Sequence, residues 1–235
     1  MCGRFTLTLD PGEIKDAFDL GAMPEDWQAR FNVAPSQPVA SVVDAAARDV
    51  VFLRWGLVPM WAKDSSVGNR MINARAETIV DKPAFRQAFT RRRCLILADG
   101  FFEWQRQPAG RGPSIPYYFQ RRDRGVFAFA GLWESWRPAE NEPELRTCTI
   151  ITTQANELVR SVHDRMPVIL DLAASRQWLA PLPAGDLLTL LAPFPADQMI
   201  SQTVGTAVNS PAMDGPQCVQ PVEPPASLFS EGKAP

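Results

Sequence analysis

Cys2 is the residue of this chain whose type and position most directly suggest chemistry. Aminopeptidases remove an initiator methionine that precedes a small side chain, so we expect Cys2 to become the amino-terminal residue. Its α-amine, with an ordinary pKa of about 7.7–8.0, would then lie beside a thiol of pKa about 8.5. An aldehyde suits this pair, because the amine forms an imine and the thiol closes it into a thiazolidine ring. The prediction is covalent capture of an aldehyde or acyl electrophile.

A cysteine at position 2 is in most proteins only a tail residue. Here Phe5, Leu7 and Leu9 alternate with polar residues directly after it, which predicts an ordered strand and favours a functional terminus. Cys94 and Cys148 lie in apolar, strand-like runs and are predicted to be buried hydrophobes.

The four cysteines and the single histidine do not have the spacing of a zinc site, and a reducing compartment disfavours disulfides. We therefore expect no metal and no cofactor.

Two further residues have types suited to acid–base work. His163 is the only histidine and is predicted to lie at a helix-to-strand junction, so any step assigned to an imidazole must use it. A lone histidine is more often structural. Glu103 follows Phe102 and precedes Trp104; strand alternation places it either on an outward face or, desolvated, among aromatics with a raised pKa. The spacing leaves these two interpretations equal.

Two more segments carry polar or aromatic side chains in suggestive patterns. Asn73, Arg75 and Glu77 recur at a period of two, so they would share one face of an extended segment, with Glu77 holding Arg75 in place. The same pattern is typical of an exposed strand face. Trp61 precedes a polar loop and could stack on a nucleobase, whereas Trp55 is predicted to be a core residue.

Composition predicts an ordinary globular protein with one domain. The chain has 235 residues, 46% of them hydrophobic and 21% charged, and a net charge of −2. That charge argues against a general nucleic-acid coat protein, although arginines cluster at 91–93 and 121–124. No apolar stretch is long enough for a membrane span and no secretory signal is recognisable, so we expect a cytoplasmic protein.

The hydrophobic pattern predicts many short elements, joined into one α+β domain of mainly antiparallel strands closed into a barrel. Strands are expected at 39–45, 50–57, 94–98, 100–105, 116–120, 126–133, 146–152, 167–170 and 199–204, and helices at 11–20, 83–90, 154–160, 174–180 and 184–191. Segments 62–70 and 106–115 are predicted to be loops. The domain is expected to span 1–222, followed by a flexible Pro-rich tail, 223–235.

Six motifs occur together in one order and spacing and make the chain resemble the SOS response-associated peptidase (SRAP) family of abasic-site processing proteins. They are Met1–Phe5, Asn32–Pro35, Trp55–Pro59, Asn73–Thr78, Asp99–Trp104 and His163–Pro167. The resemblance runs from the first residue to about residue 222.

This resemblance implies a single α+β domain around a barrel-like antiparallel sheet. It also implies a protein that binds abasic sites in single-stranded DNA and forms a thiazolidine crosslink through Cys2. Asn73, Glu103 and His163 match the residues around the crosslinking cysteine. Positions that match DNA contacts in the family are Arg4, Pro35, Trp61, Arg75 and Thr152. Some members have a second tryptophan where this chain has Ala62, for which Met60 is a partial substitute.

The implied mechanism combines these residues. His163 favours opening of the abasic sugar, the amine of Cys2 attacks C1′, Glu103 moves protons and Asn73 orients the sugar. β-Elimination from the imine would instead cut the strand and give an abasic-site lyase activity. The partner is abasic single-stranded DNA, bound by a monomer without a membrane.

Two other functions remain open at this point. A cysteine peptidase or amidohydrolase would use Cys2 as its nucleophile and His163 or Glu103 as its base, with self-processing of Met1. A non-catalytic sensor of single-stranded DNA would rely on Trp61 and the arginines alone.

Overall fold

The computed structural model describes residues 2–107 and 112–223. Within them the strands are β1 (Arg4–Leu7), β2 (Arg30–Val33), β3 (Pro38–Val42), β4 (Val50–Trp55), β5 (Asn73–Arg75), β6 (Arg93–Ala98), β7 (Gly100–Gln105), β8 (Ile115–Arg121), β9 (Phe127–Trp136), β10 (Leu145–Gln154), β11 (Arg165–Pro167), β12 (Ile169–Leu170) and β13 (Met199–Thr203). The α-helices are α1 (Pro11–Phe18), α2 (Arg86–Arg91), α3 (Glu157–Arg160), α4 (Leu172–Leu179) and α5 (Ala184–Thr189).

Five strands form a closed barrel. β10 pairs with β4, β4 with β3, β3 with β6, β6 with β9, and β9 again with β10. All of these pairs are antiparallel except β4–β10, and β5, β11 and β12 extend the sheet. A second, antiparallel sheet has the order β13-β8-β7-β1-β2. The predicted single α+β domain with a barrel-like, mainly antiparallel sheet and short helices is confirmed.

Alternate residues of the barrel strands enter two different cores. One core includes side chains of α1, α2, α4 and α5, so it must lie on the outer surface of the barrel. The other joins inward-facing residues of the barrel strands to the first residues of the chain; Cys2, Phe5 and Trp55 all belong to it. Trp55 is fully buried, as predicted. Cys94 and Cys148 also lie in this inner core, as predicted.

The strand that follows Cys2 is held from both sides. β1 pairs with β2 and with β7, where Arg4 is opposite Phe102. Asp99, which precedes β7, is buried and accepts hydrogen bonds from the Thr6 hydroxyl, from the Thr8 backbone and hydroxyl, and from the Leu9 backbone. The strand that follows Cys2 is therefore ordered, as the alternation predicted.

We expect Asp99→Ala to lower the free energy of unfolding by at least about 3 kcal/mol, because several donors would lose a charged, buried acceptor together. Denaturant unfolding measures this change. The control is Asp16→Ala on the exposed side of α1, where a change within about 0.5 kcal/mol is expected. Equal effects of the two substitutions would contradict the anchoring role of Asp99.

The segment after β4 leaves the barrel, and its two ends meet where it returns. Gly56 has φ +127, a conformation that disfavours other residues, and a Cβ on it would lie 2.7 Å from the carbonyl oxygen of Gly68. The Leu57 amide donates to the Met71 carbonyl at 3.1 Å. Residues 57–71 therefore form an excursion closed at its base, and β5 begins directly after it.

Several element predictions were wrong in detail. The predicted loop 62–70 contains a 3-10 helix, Ser65–Arg70, capped by Asp64. Glu77 does not continue the strand of Asn73 and Arg75 but lies in a 3-10 turn, Ala76–Thr78. The single strand predicted at 167–170 is divided into β11 and β12, and β2 was not predicted.

Of the predicted tail, 223–235, only Glu223 lies among the described residues. Of the loop predicted at 106–115, the described residues are 106–107 and 112–115. None of the helices in the described ranges is long and apolar enough to cross a membrane.

Candidate active site at the amino terminus

Cys2 lies two residues before the start of β1 and is fully buried. Burial raises the pKa of its thiol, and the nearby Glu103 carboxylate raises that pKa further. The sulfur is therefore a thiol rather than a thiolate at neutral pH. A nucleophile in this setting must release its proton to a neighbouring base when it reacts.

Asn73 fixes the backbone of Cys2. It begins β5, which runs parallel to β10 with Asn73 opposite Ile150. Its side-chain amide donates to the Cys2 carbonyl at 2.8 Å. The other side-chain atom, Oδ1, is buried and accepts no hydrogen bond from the described residues. Such an acceptor is costly to leave unsatisfied, so it suits a donor supplied by a ligand.

Strand alternation left open whether Glu103 faces outward or is desolvated, and the structure shows that it is buried. Phe102 and Trp104 face a separate small core, and Glu103 points the other way, toward Cys2. The side chain is 3% exposed. Burial raises the pKa of Glu103 to about 7, and the Asp164 carboxylate adds to the increase. At neutral pH this group both accepts and releases a proton, which is the property of a general acid–base group.

His163 lies in the turn between α3 and β11, as predicted. Its Nδ1 accepts the backbone N–H of Arg165 at 3.0 Å, so the neutral imidazole carries its proton on Nε2. The Asp164 carboxylate also lies 3.0 Å from Nδ1 and would pair with the ring once it is protonated. Burial lowers the pKa of His163, which favours the neutral form. His163 is therefore a donor through Nε2 at neutral pH.

Comparison with known proteins identifies the family of the chain. The family model described as "SOS response associated peptidase (SRAP)" matches residues 1–211. The chain belongs to the SRAP family. It is 43% identical over 226 residues to the abasic site processing protein YoqW of Bacillus subtilis, covering 94% of this chain and 99% of that protein. The abasic site processing protein HMCES of Gallus gallus is 34% identical over 202 residues, 77% of this chain and 60% of the relative.

Solved structures agree with this SRAP assignment. A crystal structure of a protein from Bacteroides thetaiotaomicron matches with a TM-score of 0.82 and 28% identity, over 94% of this chain and all of the other. A second, from Bordetella bronchiseptica, matches with a TM-score of 0.74 and 26% identity over 87% of this chain. The SRAP fold of this chain is thus a single-domain architecture found in experimentally determined structures.

Sequence reasoning missed the role of Arg165 in this SRAP site. Its guanidinium pairs with both carboxylate oxygens of Glu77, at 2.6 and 2.9 Å, and donates to the Thr152 carbonyl at 2.6 Å. Glu77 therefore pairs with Arg165 rather than holding Arg75. Arg165 connects the segment of Asn73 to the turn of His163. The His163–Pro167 motif contains Arg165, but only the fold shows which residues Arg165 contacts.

The predicted DNA contacts have different environments. Trp61 is 65% exposed and Arg75 is exposed. Pro35 is half-buried in the turn before β3. Thr152 is buried in β10, and its hydroxyl lies 3.4 Å from the Ala74 carbonyl.

Arg4 uses its guanidinium inside the protein. It donates to the Asn32 side chain at 3.0 Å and to the carbonyls of Val208 and Asn209. Arg4 thus joins β1 to the segment after β13, and its role in DNA binding stays a prediction.

The cysteines, histidine and carboxylates of the described residues do not cluster into a group that could hold a metal ion. All four cysteines are free and buried.

Proposed function

We propose that this protein senses abasic sites in single-stranded DNA and forms a covalent thiazolidine crosslink to them through Cys2 after removal of Met1. The crosslink would shield the site during the response to DNA damage. One observation carries the proposal: two polar side chains surround Cys2. Asn73 donates to the Cys2 carbonyl, and Glu103 is a buried carboxyl group with a pKa of about 7. Relatives at 43% and 34% identity are named abasic site processing proteins.

The amine is the first nucleophile in this mechanism. An ordinary α-amine is partly unprotonated near neutral pH, whereas burial keeps the Cys2 sulfur in its thiol form. The amine attacks the C1′ aldehyde carbon to give a carbinolamine, which loses water to form an imine. The thiol then adds to the imine carbon, and its proton ends on the nitrogen. The net change is two bonds to C1′ and one released water.

Three side chains assist these steps. His163 donates through Nε2 to the ring oxygen of the closed sugar, which favours the aldehyde form. Glu103 accepts a proton from the attacking amine, returns it to the departing hydroxyl, and then receives the thiol proton on its way to the nitrogen. Asn73 Oδ1 accepts a hydrogen bond from the hydroxyl released by ring opening, which explains why the protein leaves this atom unsatisfied.

The imine has a second fate. Loss of the 3′ phosphate by β-elimination would cut the strand, so an abasic-site lyase side activity is part of the proposal. Ring closure by the thiol competes with this loss and preserves the strand.

DNA would be held by Arg4, Pro35, Trp61, Arg75 and Thr152. Trp61 and Arg75 have the exposure that stacking and phosphate contact require. We propose that a monomer acts on DNA in the cytoplasm.

A peptidase acting on ordinary peptides fits the site less well. Cysteine peptidases attack with a thiolate whose pKa is lowered by a cationic neighbour. Here burial and the Glu103 carboxylate both raise the pKa of the Cys2 thiol. Self-processing of Met1 requires only one turnover. It is therefore the peptidase reaction that remains compatible with this site.

Denaturing electrophoresis tests the proposal. Mature protein is incubated with a single-stranded oligonucleotide that contains one abasic site, and a shifted band that survives heating is expected. The same oligonucleotide with an intact base should give no such band. Absence of the band with the abasic oligonucleotide would overturn crosslinking. Cleavage of unrelated peptides would support the peptidase alternative.

A further inference from the structure

A small recess lies on the outer surface of the barrel, between the 57–71 excursion and α2. Its volume is about 290 Å³, near the lower limit of about 300 Å³ for small-molecule pockets. The residues that line it are Pro59, Met60, Trp61, Pro83, Ala84, Gln87, Ala88 and Glu134. The walls are mostly apolar. Met60 and Trp61 are 55% and 65% exposed, which is unusual for large hydrophobic side chains.

Glu134 is the acidic residue among those that line this recess. Burial raises its pKa, and the neighbouring Arg92 guanidinium opposes that rise. Glu134 is 4% exposed. One carboxylate oxygen is paired with the Arg92 guanidinium. The other, Oε2, accepts the Met60 backbone N–H at the long distance of 3.3 Å and keeps capacity for a second donor. Because Arg92 already neutralises the charge, the recess favours a neutral N–H donor over a cation.

The recess is connected to the candidate active site through β10. Glu134 is opposite Thr147 in the β9–β10 pair. Ile150, three residues further along β10, is opposite Asn73. Three residues of a strand span about 10 Å. Glu134 and Asn73 therefore lie beside the same strand, at positions about 10 Å apart along it.

We propose that this recess holds one nucleobase of the DNA strand that carries the abasic site, stacked against Trp61 with its exocyclic amino group donating to Glu134. The proposal rests on the proposed function. Aromatic side chains beside a cationic track are the usual stacking surfaces for single-stranded nucleic acid. Arg86 and Arg91 line an adjoining cavity that Trp61 also lines, and they supply such cations.

The chemistry of Glu134 determines which bases fit. Cytosine presents an amino group where thymine and uracil present a carbonyl oxygen. That oxygen would face the carboxylate, and two acceptors repel each other. The protein is therefore expected to prefer an amino-bearing base at one position near the abasic site.

A change of one base in the DNA tests this preference without altering the protein. The probe is oligo-dT with one tetrahydrofuran abasic analogue, which cannot form an imine, and a single dC or dU placed at each neighbouring position in turn. Binding is measured by fluorescence anisotropy. We expect dC to bind about fivefold to tenfold more tightly than dU at one position, as for the net contribution of one typical hydrogen bond. Equal dissociation constants at every position would overturn the proposal.

Variants identify the group that discriminates. Glu134→Gln supplies a donor as well as an acceptor, so the dC and dU dissociation constants should become equal. Glu144→Gln, on the exposed β9–β10 connection, is the matched control and should keep the preference. A preference that survives Glu134→Gln, in protein with an unchanged melting temperature, would contradict the assignment. If Glu134→Gln fails to fold, the dC and dU comparison with unmodified protein decides alone.

Crosslinking is measured separately with the authentic abasic oligonucleotide. Loss of the base preference with crosslinking intact would overturn the recess alone. Retention of the preference without crosslinking would overturn the proposed function and leave the recess as a base-binding site.

Discussion

Replacing Cys2 by serine is expected to abolish the heat-stable adduct with abasic DNA while retaining an imine that borohydride can trap. Serine keeps the α-amine, so attack on C1′ still occurs, but its hydroxyl is a much poorer nucleophile toward the imine carbon than a thiol. The imine then persists and undergoes β-elimination. Strand cleavage should therefore increase as the adduct disappears, and denaturing electrophoresis with and without borohydride measures both products.

Cys218→Ser is the matched control for this experiment. Cys218 is also buried, and its sulfur contacts the Met213 carbonyl, a contact that a hydroxyl can replace. The control is expected to form the adduct at the rate of the unmodified protein. A heat-stable adduct with Cys2→Ser would mean that the durable bond does not involve sulfur. Loss of the trapped imine would mean that the amine is not the first nucleophile.

The second large effect is expected at Glu103. Glu103→Gln should slow adduct formation by about 10²- to 10³-fold, the usual contribution of a positioned acid–base group. Dissociation constants for DNA containing the tetrahydrofuran analogue should change less than about twofold, because binding does not require proton transfer. In unmodified protein the rate should rise with pH through about 7, as Glu103 ionises. The variant should lack this rise and keep only the rise at higher pH that comes from deprotonation of the α-amine.

The free energy of unfolding should fall as pH rises, whereas the reaction rate should increase. A glutamate in the unfolded chain ionises near 4.5, whereas Glu103 in the folded protein ionises near 7. Between these values the unfolded state loses its proton first, so the free energy of unfolding falls as pH rises, by roughly 3 kcal/mol in full. Glu103→Gln cannot ionise and should therefore be the more stable protein above pH 7.

Urea unfolding at about pH 5 and about pH 8 measures the free energy of unfolding of both proteins. Active-site residues often lower the stability of the protein that carries them. Glu157→Gln, in the exposed first turn of α3, is the control and should alter neither the rate nor the stability. A Glu103→Gln protein that is less stable at the higher pH would show that the carboxylate is structural, as would equal losses of binding and rate.

Local sequence patterns predicted much of the barrel and the position of the reactive terminus. Strand alternation placed Phe102 and Trp104 on one face and Glu103 on the other, and the structure supplied the missing fact that the second face is also buried. The pattern could not decide this, because burial of a strand face depends on which distant segment covers it. Here that segment is the amino terminus itself.

Non-local pairing also explains the errors. Glu77 was expected to hold Arg75, its near neighbour, but it pairs with Arg165, which is distant in sequence and is brought close by β10. β2 has only four residues and little alternation, and it is a strand because β1 provides its partner. Asn73 was identified by its family motif, yet its bond to the Cys2 carbonyl joins segments that are distant in sequence and that only the fold brings together.

The contact between Gly56 and Gly68 has a consequence for protein engineering. Because the 57–71 excursion is closed at its base, residues at its tip can be exchanged or lengthened without displacing β5. Loops from other SRAP proteins, or randomised libraries between residues 59 and 64, could thus be transplanted onto this scaffold. The bases adjacent to a lesion could then be chosen by design, while the reactive cysteine and its neighbours are left intact.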